Sequence, residues 1–272
     1  MRYPFRTLFS PILVAICAGP AAAGPFLADG IPANSPLFVS WATGVANLTR
    51  GPQNISVAGG PFASFGTGAE ALGPATGVAS AVVSLGDGGS ITLAFAAPIT
   101  NGLGADFAVF ENGFKSGSRV FAELGFVEVS SNGTNFFRFP SVSLTQTKTQ
   151  VGAFDSIDPT DINNLAGKHV AGVGTPFDLA ELAGVSPLLD VNRITQVRIV
   201  DVVGSIDPKY GTLDSQGNII NDPFPTPFAS GGFDLDGVGV IHEVPEPASA
   251  VLVIAGLASI GIPRLRRTRS AA

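Results

Sequence analysis

The chain has 272 residues, 45% of them hydrophobic and only 13% charged, with 34 Gly, 21 Pro and a single Cys. Gly and Pro follow no Gly-X-Y period, which excludes a collagen-like rod, and the apolar content excludes wholesale disorder. The length suits one large all-β domain or two small ones.

The first 23 residues read as a secretory signal. Arg2 and Arg6 form a basic start, Leu8 to Gly19 an apolar stretch, and Ala21-Ala22-Ala23 a small-residue cleavage site. The apolar stretch is short for a membrane span. Ile16 stands before Cys17, where a lipoprotein box wants a small residue. Cleavage after Ala23 removes the only Cys and leaves no thiol chemistry.

Gly24 to Gly77 is rich in Gly, Pro and Ala and reads as long loops packed on the edge of a domain. Strand-like runs follow at 80–84, 90–95, 105–110, 121–130, 135–139, 193–203 and 233–242. Ser131-Asn132-Gly133-Thr134 predicts a tight hairpin turn, with Asn-Gly suited to type I′. Helical turns are expected only at 159–165 and 177–183. Many short strands with turn punctuation predict an all-β fold, a single β-sandwich with long loops over 24–243.

The chain closes on three parts in a fixed order. Pro245-Glu246-Pro247 is rigid and polar, 248–262 is uncharged and apolar, and Arg264, Arg266, Arg267 and Arg269 form a basic tail. This is the pattern of a stop-transfer anchor whose arginines stay cytoplasmic. Fifteen residues at about 1.5 Å each fall slightly short of a bilayer core, which suits a transient single-span helix.

Residues 244–272 resemble a PEP-CTERM protein-sorting signal. The resemblance rests on the tripeptide, the apolar span, the basic tail and the N-terminal signal together. It implies export through the Sec machinery and signal peptidase, then recognition by an exosortase, a membrane-embedded cysteine transpeptidase of Gram-negative bacteria. It further implies transfer to the cell surface or extracellular matrix, where polysaccharide is made. A second resemblance covers about 30 residues. Phe126 to Phe139 is similar to the Val-Glu-Val-Ser hairpin of discoidin-like and galactose-binding-like jelly rolls, and Ile194 to Asp201 to their late strand. Those folds imply carbohydrate or headgroup sites in loops at one end, often with a structural Ca²⁺.

Without its two ends, the segment 24–243 holds nine Lys and Arg against 20 Asp and Glu, a formal charge of −11. Such a domain repels phosphate backbones, so no nucleic-acid partner is expected. Excess carboxylate outside a cell either keeps a protein soluble or binds hard cations. Asp234 and Asp236 alternate on one predicted strand, Asp201 shares an apolar strand face, and Asp106 opens another strand. These four carboxylates form a candidate Ca²⁺ site; solvated or Arg-paired acids are the alternative reading. Asp155, Asp158 and Asp161 read as turn and cap residues.

Catalysis is poorly supplied. The 24–243 segment has no Cys, only His169 and His242, and neither a Gly-x-Ser-x-Gly elbow nor a His-Glu-x-x-His motif. The expectation is a non-enzymatic structural or adhesive surface protein associated with exopolysaccharide. One alternative is a carbohydrate-binding module, marked by exposed Trp41, Phe114 or Tyr210 beside acids at a concave end. The other is a glycoside hydrolase, marked by two carboxylates about 5–10 Å apart in a deep groove.

Overall fold

The computed structural model describes residues 24–26 and 29–245. The expected signal segment, Glu246, Pro247, the apolar span 248–262 and the arginine tail lie outside the described residues. Among the described residues no helix is long and apolar enough to cross a membrane.

The fold is all-β, and every pairing among the described strands is antiparallel. The N-terminal part supplies β1 (Ile31–Pro32), β2 (Ser40–Trp41) and β3 (Gly44–Thr49). The middle supplies β4 (Val83–Ser84), β5 (Ser90–Ile99), β6 (Phe107–Glu111), β7 (Phe114–Ser116), β8 (Arg119–Phe121), β9 (Gly125–Ser130), β10 (Phe137–Arg138), β11 (Val142–Ser143) and β12 (Ile162–Asn163). β13 (Val173–Phe177), β14 (Ile194–Asp201) and β15 (Asp234–Val240) complete the set. One sheet runs β1-β13-β6-β15-β2, with β4 also on β15; the other runs β10-β9-β14-β5-β3.

The two sheets share one core. Ile91, Leu93, Val127, Val129, Val197 and Ile199 come from the five-stranded sheet, and Phe107, Val109, Phe177, Val238 and Val240 from the other. Alternation on β14 explains its half of this core: Val197 and Ile199 point inward, while Gln196, Arg198 and Val200 face out. A second small core of Phe126, Leu124, Ile157, Ile162, Val202 and Ile220 covers one end of that outer face. The other end is left open. Ala75, Ala108 and Phe110, with Phe38 and Trp41 packed against them, close the back of the six-stranded sheet.

Three sequence expectations change. Gly24 to Gly77 does not only form loops, because β3 is a full edge strand paired along β5. The 131–134 segment turns the chain as expected, but its geometry is not type I′. Gly133 takes φ +73°, while Asn132 is not in the left-handed region. Asn132 Oδ1 instead accepts from Thr134 N and Asn135 N, and β10 is reduced to two residues. The helical turn at 159–165 shrinks to a 3₁₀ turn at Pro159–Asp161, with Asp158 as its cap, followed by β12.

Candidate functional site

β6 ends and β15 begins at one edge of the core, and the chain around them builds a pocket of about 200 Å³. The β7–β8 hairpin places Phe114 opposite Phe121. Their rings stack with centroids 4.7 Å apart and planes 10° apart. Phe154 and Phe228, from two distant loops, form a second pair at 5.5 Å. Phe114, Phe154 and Phe228 remain largely exposed. Water-facing rings of this kind are suited to the C–H face of a ligand rather than to core packing.

The polar floor holds Asn112, Glu123, Thr226 and Asp234. Asp234 accepts from Ser84 Oγ and from Asn112 Nδ2 at 3.0 Å. Glu123 Oε1 accepts from Gly232 N at 3.1 Å. The Gly231-Gly232 turn makes this approach possible. Gly232 has φ +73°, and a side chain there would lie 2.8 Å from Asp201 Oδ1 and from the Gly86 backbone.

These carboxyls belong to a larger buried group. Burial, reinforced by Asp234, Glu111, Asp201 and Asp222, pushes Glu123 well above the usual carboxylate range. Burial and the neighbouring Asp234 do the same to Glu111. Burial pushes Asp234 up to about 6, although Ser84, Asn112 and the positive charge of Arg50 oppose it. Burial also raises Asp201, with Asp87 adding to it, and raises Asp222. Glu111 Oε1 is buried without a hydrogen-bond partner, which a neutral carboxyl tolerates and a carboxylate does not. Burial thus favours the protonated form of Glu123, which then donates as well as accepts, beside an Asp234 that still ionises near neutral pH.

The four expected Ca²⁺ ligands do not act together. Asp106 accepts from Gly102 N and Leu179 N, both at 2.7 Å, and meets His242 Nδ1 at 2.8 Å. Asp201 accepts from Gly88 N and Phe233 N. Asp236 accepts from Thr76 N and Gly77 N. With Asp234 on Ser84 and Asn112, all eight oxygens already hold separate loops in place. Among the described residues no group of three or more His, Cys, Asp or Glu side chains is arranged to hold a metal ion. A bulge is part of the reason. The register with β6 shifts between Leu235 and Gly237, so Leu235 and Val238 both enter the main core and the expected Asp234/Asp236 alternation is broken. Only Asp234 reaches the pocket.

Of the aromatic candidates, Phe114 lies in the pocket. Trp41 packs on Phe38 and Phe110 at 5.0 and 5.3 Å, and Tyr210 sits beside Lys209. His169 faces Asp29 at 3.5 Å. Pro245 of the sorting tripeptide lies in a surface depression with His242 and Glu243, just after Val244 N donates to Pro98 O. Sequence reasoning placed Glu111 only at the end of the strand that Asp106 opens, and missed Glu123, Asp222, Phe154 and Phe228. Glu123 carried a usable signal, an acid inside the apolar run Phe121-Ala-Glu-Leu-Gly. No protein-family model matches the chain, and no curated protein matches it either.

Proposed function

We propose that this is an exported, exosortase-processed surface protein whose jelly-roll-like sandwich binds carbohydrate without cleaving it. The adhesive role associated with exopolysaccharide is then exercised through the Phe114 pocket. One observation carries the reading: exposed Phe114, Phe154 and Phe228 stand beside Asn112, Glu123 and Asp234 in a single concavity. Aromatic faces take the apolar side of a pyranose, and carboxyls with an amide take its hydroxyls. The terminal patterns at Arg2 to Ala23 and Pro245 to Arg269 support export and sorting.

A glycan array probed with the full-length protein tests the binding. Native protein is expected to retain a neutral glycan, and Phe114→Ala to lose that retention at unchanged Tm. Retention unaffected by Phe114→Ala removes the site. Release of reducing sugar by the native protein overturns the non-catalytic reading. Intact-mass analysis of surface material tests processing: loss of the segment beyond Pro245 is expected, and recovery of the whole chain from the cell interior overturns it.

A further inference from the structure

The five-stranded sheet carries a polar row on the open end of its outer face, with one residue from each strand. Its register runs Asn47–Thr92–Arg198–Glu128–Arg138, through β3, β5, β14, β9 and β10. Glu128 sits between two arginines. Arg138 Nε and Nη2 lie 2.9 and 2.8 Å from Oε1, and Arg198 Nε and Nη2 lie 2.6 and 2.5 Å from Oε2. Each guanidinium also lies over a ring at 3.9 Å: Arg138 on Phe126 and Arg198 on Phe136.

The charge on this face does not cancel. Two cations share one anion, so one positive charge remains in a segment whose formal charge is −11. Both arginine side chains are accessible, Arg198 at 33% and Arg138 at 41%, while Glu128 is nearly covered, at 9%. The Nε–Nη2 edges are occupied by Glu128, which leaves the Nη1 sides for an incoming acceptor. Beside them runs a groove of about 290 Å³, lined by Asn47, Thr92, Phe136, Gln196 and Arg198. An arginine Nη1 side, a ring and two side-chain amides in one strip are groups that suit a carboxylated sugar. The carboxylate meets the guanidinium, the ring meets the sugar C–H face, and the amides meet hydroxyls.

We propose that this face binds an acidic polysaccharide, with a uronate carboxylate received by Arg198 and Arg138. The site is separate from the Phe114 pocket and goes beyond it. Repulsion from the rest of the domain does not prevent binding, because charges more than about 8 Å away are largely screened at physiological salt. The local pair of arginines decides.

Affinity electrophoresis of the full-length protein in gels containing polygalacturonate, with neutral dextran as control, tests the proposal at 0.15 M salt. Retardation by polygalacturonate alone is expected. Arg198→Gln should weaken it about tenfold, with Arg138→Gln as a second variant. Glu128→Gln removes the competing negative charge and should strengthen retardation several-fold. A triad that only pins β10 and β9 to β14 gives the opposite result, with Glu128→Gln lowering Tm and adding no affinity. That outcome, no retardation of the native protein, or retardation unchanged in both arginine variants overturns the site. Phe114→Ala should leave polygalacturonate binding intact, so failure of this site and failure of the pocket are read separately.

Discussion

Asp106 Oδ1 stands 2.8 Å from His242 Nδ1, across 136 residues of chain. The same fully buried carboxyl accepts from Gly102 N and Leu179 N. It thereby ties the loop before β6, the 3₁₀ turn after β13 and the exit of β15 to one point. Removing it strands the buried Leu179 N–H and the half-buried Gly102 N–H. Asp106→Ala is expected to destabilise the protein by about 3 kcal/mol, as for other broken buried polar networks, read from the urea midpoint. A loss below about 1 kcal/mol would show that water replaces the carboxyl there.

The buried acids set the direction of the pH dependence. Asp87 and Asp234 are pushed up to about 6 by burial, and burial likewise raises Glu111, Glu123, Asp201 and Asp222 well above the usual carboxylate range. For each of them the folded value exceeds the unfolded one. The native state therefore holds more protons than the unfolded chain above about pH 4, and stability falls as pH rises through and beyond 6. Asp214 behaves oppositely. Burial pushes it up, but N–H donors from Ser143, Asn218 and Gln216 leave it net below its usual value, so its contribution fades only in more acidic solution. The urea midpoint is expected to be higher at pH 5 than at pH 7.5. A midpoint that rises between those values would contradict the protonated cluster.

Gly232 is a point beside the pocket where backbone freedom matters. Its φ of +73° is costly for any residue with a Cβ, and that atom would meet Gly86 backbone at 2.8 Å. Gly232→Ala is expected to cost about 2 kcal/mol or more and to displace Glu123, which accepts from Gly232 N. Thermal unfolding measures the first effect and neutral-glycan retention the second. A variant with native Tm would mean that the turn relaxes freely.

The long alternating runs made much of the fold legible. Ile194 to Asp201 and Phe126 to Ser130 follow the period of two, and both became central strands of one sheet. β13 was hidden because Val173-Gly-Thr-Pro-Phe looks like a loop. Its Pro176 is tolerated because β1 pairs only with Val173 and Gly174, so no strand on that side needs its missing N–H. The acids were legible as expensive, but not as neighbours. Asp201 stood out by its apolar strand face, and Asp234 and Asp236 by their alternation on one strand. Which loops would satisfy them depended on contacts such as Asp236 to Thr76, 160 residues apart. The pocket was hidden for the same reason, since its four phenylalanines come from segments around 114, 121, 154 and 228 that only the folded chain brings together.

Glu123→Gln separates binding from catalysis in that pocket. Burial and four neighbouring acids raise Glu123 and favour its protonated form, and a protonated carboxyl and an amide have similar shape and both donate and accept. The substitution is expected to leave neutral-glycan retention within about twofold, well under 1 kcal/mol. It should also flatten the fall in stability between pH 5 and 7.5, because one titrating group is removed from the cluster. Matched urea titrations at the two pH values check the slope. A pocket that cleaved its ligand would behave differently, because Gln cannot supply the proton to a leaving oxygen. Turnover in the native protein that disappears in Glu123→Gln, with retention intact, would assign Glu123 as a general acid and replace the binding role.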